Sequence, residues 1–349
     1  MKKILFILLI INALQVNAQT NVVQVGKGEI PQNSIFYYLP QTEIVIEVSV
    51  KKVVKKNGMF ANYAKRLLAL NSVITSKSED YELEKVRISY NIVPDTVKNF
   101  AVEINAKTTA YNLHLNSKKI IKGVNLSVLP SLENRTDLPI QEKADTAIIF
   151  DYSVLSEDAL IATSEAKMAE IVAKQIFKIR ESRMEILSGD SEREIDSENL
   201  PLIISELDRT ERELIAFFEG KSKTFTETKI FRFVPKSAIE NEIIFRFSPL
   251  LGIVEKDDLA GRAITLSILP QNSNSDNLNE TGKKIKKFGI YYNVPSSAQI
   301  AIFDGNRQLA EANFLFPQFG TLKFLPSDLF NNKNTQVIFS EFGGIELIK

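Results

Sequence analysis

The chain contains no cysteine, no tryptophan and one histidine, His114. Without Cys there is no disulfide, no thiolate nucleophile and no thiolate metal ligand, so stability rests on packing alone. A zinc site built on several imidazoles is out of reach with a single His. A Ser-His-Asp constellation would have to use His114, which sits in the alternating stretch Tyr111-Asn112-Leu113-His114-Leu115 without a Gly-x-Ser-x-Gly turn. We read it as an ordinary strand residue. The missing Trp counts against a flat carbohydrate-stacking platform, a role left to nine Tyr. Neither charge sign is in excess, at 43 basic and 43 acidic residues, which argues against nucleic acid as a partner.

Long apolar runs are also scarce. The one near the N-terminus, Ile4 to Leu14, follows Lys2 and Lys3 and precedes Val16-Asn17-Ala18. A positive start, a short apolar stretch and small residues at a cleavage point make residues 1–18 a signal peptide. The run is shorter than the roughly 20 residues of a membrane helix, and no later stretch approaches that length. Position 19 is Gln, which has no thiol to carry a lipid anchor. The expected product is an exported protein of the periplasm or outer cell surface, without a transmembrane segment and not a lipoprotein.

The remainder is long enough for two or three domains. Residues 19–156 read as a β-rich domain with one short helix. Ile44, Ile46, Val48 and Val50 alternate with polar residues in a stretch spanning 34–54. Further strands are expected at 81–93, 99–106, 108–115, 123–129 and 146–150. Residues 59–70 place Phe60, Tyr63, Ala64, Leu67 and Leu68 on one helical face. Residues 157–222 change period: Ala169, Val172, Ile176, Ile179 and Leu187 recur by threes and fours, stopped by Ser188-Gly189-Asp190. A second stripe runs from Leu200 to Phe218 and ends at Gly220. Facing stripes and a short link predict an antiparallel helical hairpin. Residues 223–349 return to strand patterns at 225–234, 242–248, 262–269, 287–294, 298–303, 320–325 and 335–340. An Asn- and Ser-rich loop interrupts them at 271–282.

The two β regions share landmarks. Val93-Pro94 precedes Leu126-Ser127-Val128-Leu129-Pro130 by nearly the interval that separates Val234-Pro235 from Leu266-Ser267-Ile268-Leu269-Pro270. A third pair, Tyr37-Tyr38-Leu39-Pro40 and Tyr291-Tyr292-Asn293-Val294-Pro295, falls in the opposite order, so duplication and chance remain alternatives. Catalytic motifs fail on context. Ser164-Glu165-Ala166-Lys167 and Ser275-Asp276-Asn277 fit two elements of penicillin-binding enzymes, but no Lys precedes Thr281-Gly282. Asp190, Glu192, Glu194 and Asp196 alternate in an acidic loop whose oxygen ligands suit a weak Ca²⁺ site. Ile195 and Pro201 stand where an EF-hand loop needs Gly and Glu, and acidic residues before a helix also favour its N-terminus, which is the reading we prefer. Arg180, Glu181 and Arg183 on the first long helix are candidate partner contacts, set against a role in pinning the hairpin. Tyr37, Tyr38, Tyr291 and Tyr292 are candidate ligand contacts, with only one of each pair able to point to a given face.

Several segments together resemble the domain-of-unknown-function 4831 family of exported Bacteroidetes proteins. They are Tyr37-Tyr38-Leu39-Pro40, the stretch Gly58 to Ala64, Gln175 to Arg183 and Leu187-Ser188-Gly189-Asp190. Glu206-Leu207-Asp208, Phe217 to Lys221, Gln318-Phe319-Gly320-Thr321 and Leu325-Pro326 complete the set. The resemblance implies a bacterial envelope setting and brings no catalytic residues with it. In that setting Asp95-Thr96-Val97 and Asp145-Thr146-Ala147 look like acceptors for periplasmic O-glycosylation.

The expectation is an α+β protein: two antiparallel β-domains of sandwich type, possible duplicates, with a central helical hairpin. The expected function is that of an exported, non-catalytic binding or assembly protein of the cell envelope, with an envelope protein or glycan as partner and no cofactor beyond the weak Ca²⁺ option. The alternative is a carboxylate-dependent hydrolase acting on envelope or dietary glycans, which needs no sequence motif because folding can bring two carboxylates together. N-terminal sequencing of the protein recovered from the envelope is expected to start at Gln19. A chain still starting at Met1 would overturn the export reading.

Overall fold

The computed structural model describes residues 22–103, 112–126, 147–189, 199–271, 289–326, 329 and 335–349. The expected signal peptide, the acidic loop and the Asn- and Ser-rich loop lie outside the described residues, apart from Gln271. The described fold is mostly strand with few helices, and its three sheets are antiparallel. The first sheet has the order β1 (Val22–Gln24), β3 (Ser78–Glu103), β2 (Ser34–Lys56), β6 (Lys221–Phe233). The second has the order β11 (Arg307–Pro326), β10 (Gly289–Asp304), β9 (Arg262–Pro270), β7 (Ile239–Ser248), β8 (Gly252–Val254). The third has the order β13 (Ile345–Ile348), β12 (Val337–Phe339), β5 (Ile121–Val124), β4 (Leu113–Leu115).

Two of these sheets cross the boundaries drawn from the sequence. β6 lies C-terminal to the helices yet pairs with β2 from Lys56↔Lys221 to Ile44↔Phe233. β12, near the end of the chain, pairs with β5 through Val337↔Val124. A strand pattern reports period and burial but not which other strand supplies the hydrogen bonds.

Three hydrophobic cores follow the course of β2, which at about 3.3 Å per residue extends on the order of 75 Å. Its first part contributes Tyr37 and Leu39 to a core with Phe100, Val124, Ile290 and Val337. Its middle contributes Ile44, Ile46, Val48 and Val50, whose alternation turns them onto Phe245, Ile264, Ile300 and Phe316 of the second sheet. Its end leads to a third core where Phe60, Val172, Ile176, Phe217 and Phe218 meet. There Gly58 lies so close to the carbonyl of Phe217 that a Cβ would sit 2.3 Å from its oxygen, and the Phe60 N–H donates to that carbonyl at 2.7 Å.

The first two cores meet at a waist where two strand pairs bend in the same way. In β2/β3, Tyr38 faces Asn99 but Pro40 faces Pro94, so residues 95–98 are looped out. In β10/β11, Val294 faces Thr321 but Ser296 faces Phe316, so residues 317–320 are looped out. Prolines stand at both breaks, where a missing N–H costs no ladder bond. Each Tyr-Tyr landmark that falls out of order in the sequence therefore comes just before one of these breaks. The looped-out Gln318 uses its side-chain amide as a strand would: its Oε1 accepts from the Thr42 N–H at 3.0 Å and its Nε2 donates to the Thr42 carbonyl at 2.8 Å. Gly320 makes this bulge possible, since a Cβ there would lie 1.8 Å from the Val294 oxygen.

Several expected elements change. Residues 81–93 and 99–106 join into one bent strand ending at Glu103, as do 287–294 and 298–303. The strand expected at 320–325 begins at Arg307, because its Ala- and Glu-containing first half pairs with β10 from Asp304↔Arg307 onward. Residues 147–150 form no strand, although Phe150 is buried in the third core. The short helix is one 3₁₀ turn, Ala61–Tyr63, followed by α1 (Ala64–Leu68).

Tyr37 is completely buried; its hydroxyl accepts from the Tyr291 N–H at 2.9 Å and donates to the Tyr291 carbonyl at 3.2 Å. Burial pushes its pKa far above the ordinary 10.0. Above pH 10 the unfolded chain would release this proton while the native chain keeps it, so stability falls as pH rises. Tyr37→Phe is expected to cost about 1–3 kcal/mol in urea denaturation at neutral pH, and to reduce the alkaline slope of stability.

Candidate functional site

The long helix α3 (Glu165–Ser188) begins where Ser164 Oγ accepts from the Lys167 N–H at 3.3 Å and ends at Gly189, whose φ of 80° few other residues adopt. Its buried residues, Ala169, Val172, Ala173 and Ile176, all belong to the first half. The second long helix, α4 (Leu200–Glu219), has the reverse arrangement, with Glu211, Leu214, Ala216, Phe217 and Phe218 buried and nothing buried before Glu211. A short helix, α2 (Glu157–Leu160), adds Ala159 to the same core. The outer halves, 177–188 and 200–210, therefore project from the third core as a two-helix arm. Twelve helical residues span about 18 Å.

Inside this arm the two arginine candidates are already paired. Arg180 Nε donates to Glu211 Oε1 at 2.6 Å, and Arg183 Nη1 reaches Asp208 Oδ1 and Glu211 Oε2, each at 2.6 Å. Asp208 and then Glu211 hold the Arg183 guanidinium even further above its usual range. These contacts run in opposite senses along the two helices, 180 with 211 and 183 with 208, and clamp one helix to the other. Glu181 is exposed and takes no part.

The exposed surface of the arm carries apolar side chains beside its charged ones. Phe177 is 49% exposed, Met184 65%, Leu187 63% and Leu202 62%. The sequence stripe of the first helix includes Leu187, which the structure leaves in solvent. Phe177 and Met184 lie seven residues apart on one flank of the helix.

The Tyr candidates are placed differently. Tyr37 presents no surface, and Tyr38 is half-buried with its N–H donating to Lys119 across to the third sheet. The Tyr291 ring stacks on Phe100 with centroids 4.7 Å apart. Tyr292 lies 5.9 Å from Phe339, and burial raises its pKa. The four residues thus build the waist and the first core. Thr96 is exposed on the loop 95–98, where Asp95 accepts from the Val97 and Lys98 N–H groups. The acidic candidates Asp190, Glu192, Glu194 and Asp196 lie outside the described residues. Among the described residues, no three His, Asp or Glu side chains converge on a point that would hold a metal ion.

The sequence model of a family described as Domain of unknown function (DUF4831) matches residues 33–346. The chain belongs to this family. No curated protein and no solved structure matches this DUF4831 chain.

A shallow groove of about 340 Å³ opens between β6 and the turn before β8. Val50, Tyr81, Leu251 and Ile253 form its apolar lining, with Glu227 and Lys229 among its polar residues. Beside it Lys52 pairs with Glu79 at 3.0 Å, and Tyr81 and Glu79 push the Lys52 pKa up. Glu227 is the one carboxylate among the groove's lining residues, whereas glycoside hydrolysis needs a pair about 5–10 Å apart. The arm is therefore the stronger candidate site in this DUF4831 protein.

Removing the carboxylate that both arginines share should loosen the arm. Glu211→Ala is expected to cost about 1–2 kcal/mol, the partial exposure of both arginines lowering the value for a buried pair. Replacing Arg180, Arg183 and Glu211 together by Met should cost less than the single change, as measured by urea unfolding.

Proposed function

We propose that the protein is an exported, non-catalytic binding or assembly component of the bacterial cell envelope, and that the antiparallel helical hairpin is the part that engages its partner. The observation that carries this reading is the exposure of Phe177, Met184, Leu187 and Leu202 on an arm whose arginines are occupied internally. Large apolar side chains left exposed on one arm support an interaction site there. Arg180 and Arg183, candidates as contacts in the sequence, take the role of holding the arm in shape. Export rests on the character of residues 1–18, and the envelope setting on the family resemblance.

The test is crosslinking in intact cell envelopes followed by affinity capture and mass spectrometry. It compares the natural chain with a variant carrying Phe177→Ser, Met184→Ser, Leu187→Ser and Leu202→Ser. Exposed substitutions of this kind change stability little, about 0.5 kcal/mol each, so the variant should fold and unfold like the parent. A crosslinked product present with the parent and reduced at least about tenfold in the variant supports the reading. A product unaffected by the four substitutions, or a chain absent from the envelope, overturns it.

A further inference from the structure

One face of α3 carries a row of charges with an unusual order. Lys174, Lys178, Glu181 and Glu185 are all exposed, and none has an ion-pair partner among the described residues. Their spacing along the helix is four, three, four, which reads the same in both directions. Their signs are plus, plus, minus, minus, which reads as its own opposite when reversed. Within one helix this order sets two like-charge neighbours, Lys174 with Lys178 and Glu181 with Glu185, against opposite neighbours in Glu170 with Lys174 and Lys178 with Glu181. The same row faced by its own reverse has every charge matched: Lys174 against Glu185, Lys178 against Glu181, and the symmetric pair of contacts.

The apolar residues beside the row follow the same symmetry approximately, their own midpoint lying one residue further along, between 180 and 181. Phe177 and Met184 lie to either side of the row's midpoint, between residues 179 and 180. An antiparallel copy of the helix therefore brings Phe177 of one protomer close to Met184 of the other, twice. Leu187 and Leu202 extend the apolar area toward the tip of the arm. This arrangement has the requirement of a two-fold contact, in which one surface is its own complement.

We propose that the partner of the arm is a second copy of this chain, which docks antiparallel along α3 so that two arms associate as four helices. The proposal rests on the binding role assigned to the arm above and names the partner. The apolar stripe supplies the attraction through loss of wet surface, and the charge row sets orientation, since a parallel copy would place Lys174 on Lys174 and Glu185 on Glu185. The contact is confined to the outer surface of the arm and leaves the Arg180, Arg183, Asp208 and Glu211 network intact.

The experiment is sedimentation of the full chain over a concentration range reaching about 100 µM, at low and at high salt. Two charge-reversed variants are compared with the parent. Lys174→Glu with Lys178→Glu makes the row wholly acidic, and Glu181→Lys with Glu185→Lys makes it wholly basic. The parent is expected to dimerise, more weakly at high salt. Each variant alone should dissociate at least about tenfold more readily, and an equimolar mixture of the two should recover the parent's association as a heterodimer. A chain that stays monomeric throughout, or a dimer that neither variant weakens, overturns the self-association. The envelope crosslinking above separates the two failures: a different partner that is lost with the four apolar substitutions keeps the binding role while excluding the second copy, and a monomer that captures nothing removes both.

Discussion

The position of every sheet depends on how two bent strand pairs interlock at the waist. Tyr37 is closed on the backbone of Tyr291, and the Gln318 amide is closed on the backbone of Thr42. Each contact supplies a partner to the open side of a strand, Tyr291 lying before the stretch of β10 that pairs with β9 and Thr42 before the stretch of β2 that pairs with β6. Buried backbone groups without partners cost more than ordinary hydrogen bonds contribute, so each strand pair satisfies groups that the other leaves open. The turn after β12 completes the waist: Tyr90 donates to Glu341 Oε1 at 2.8 Å and packs between Phe314 and Phe342.

Once the waist is fixed, the course of β2 determines the rest. Its inward residues on one side of Pro40 belong to the first core and those on the other side to the second. Its end at Lys56 pairs with Lys221, which brings the end of α4 beside the turn at Gly58. That junction roots both long helices in the third core through Phe217, Phe218 and Ile176. The arm beyond has no core of its own. Its stability comes from half-buried aliphatic residues between the helices and from the carboxylate of Glu211, shared by two arginines. The apolar exposure on such an arm follows from the helix register, which leaves Phe177 and Met184 on the flank between the buried stripe and the charged face.

The alternation Ile44, Ile46, Val48, Val50 was legible because a period of two survives any choice of strand partner. The helices were legible because their apolar stripes recur by threes and fours and Gly189 and Gly220 mark their ends. The first half of β11 was not, since Ala, Glu and Asn favour no strand by themselves and become one through pairing with β10. The Tyr candidates illustrate the same limit. Their sequence marks both bends, yet periodicity assigns a face without saying whether that face meets solvent or another sheet. The arginines were visible as candidate contacts, but Glu211 and Asp208 lie about thirty residues away in sequence, and only helix packing brings them into range.

By itself the sequence determined the periods, the helix ends, the absence of thiol chemistry and the self-opposed order of the charge row, because each of these depends on neighbours along the chain. The tertiary structure decided which strands share a sheet, which tyrosines are sealed in the core, which charges are already satisfied and which apolar residues stay exposed. Those outcomes depend on groups far apart in sequence, whose hydrogen bonds and burial are exchanged for water only when the whole chain closes on itself.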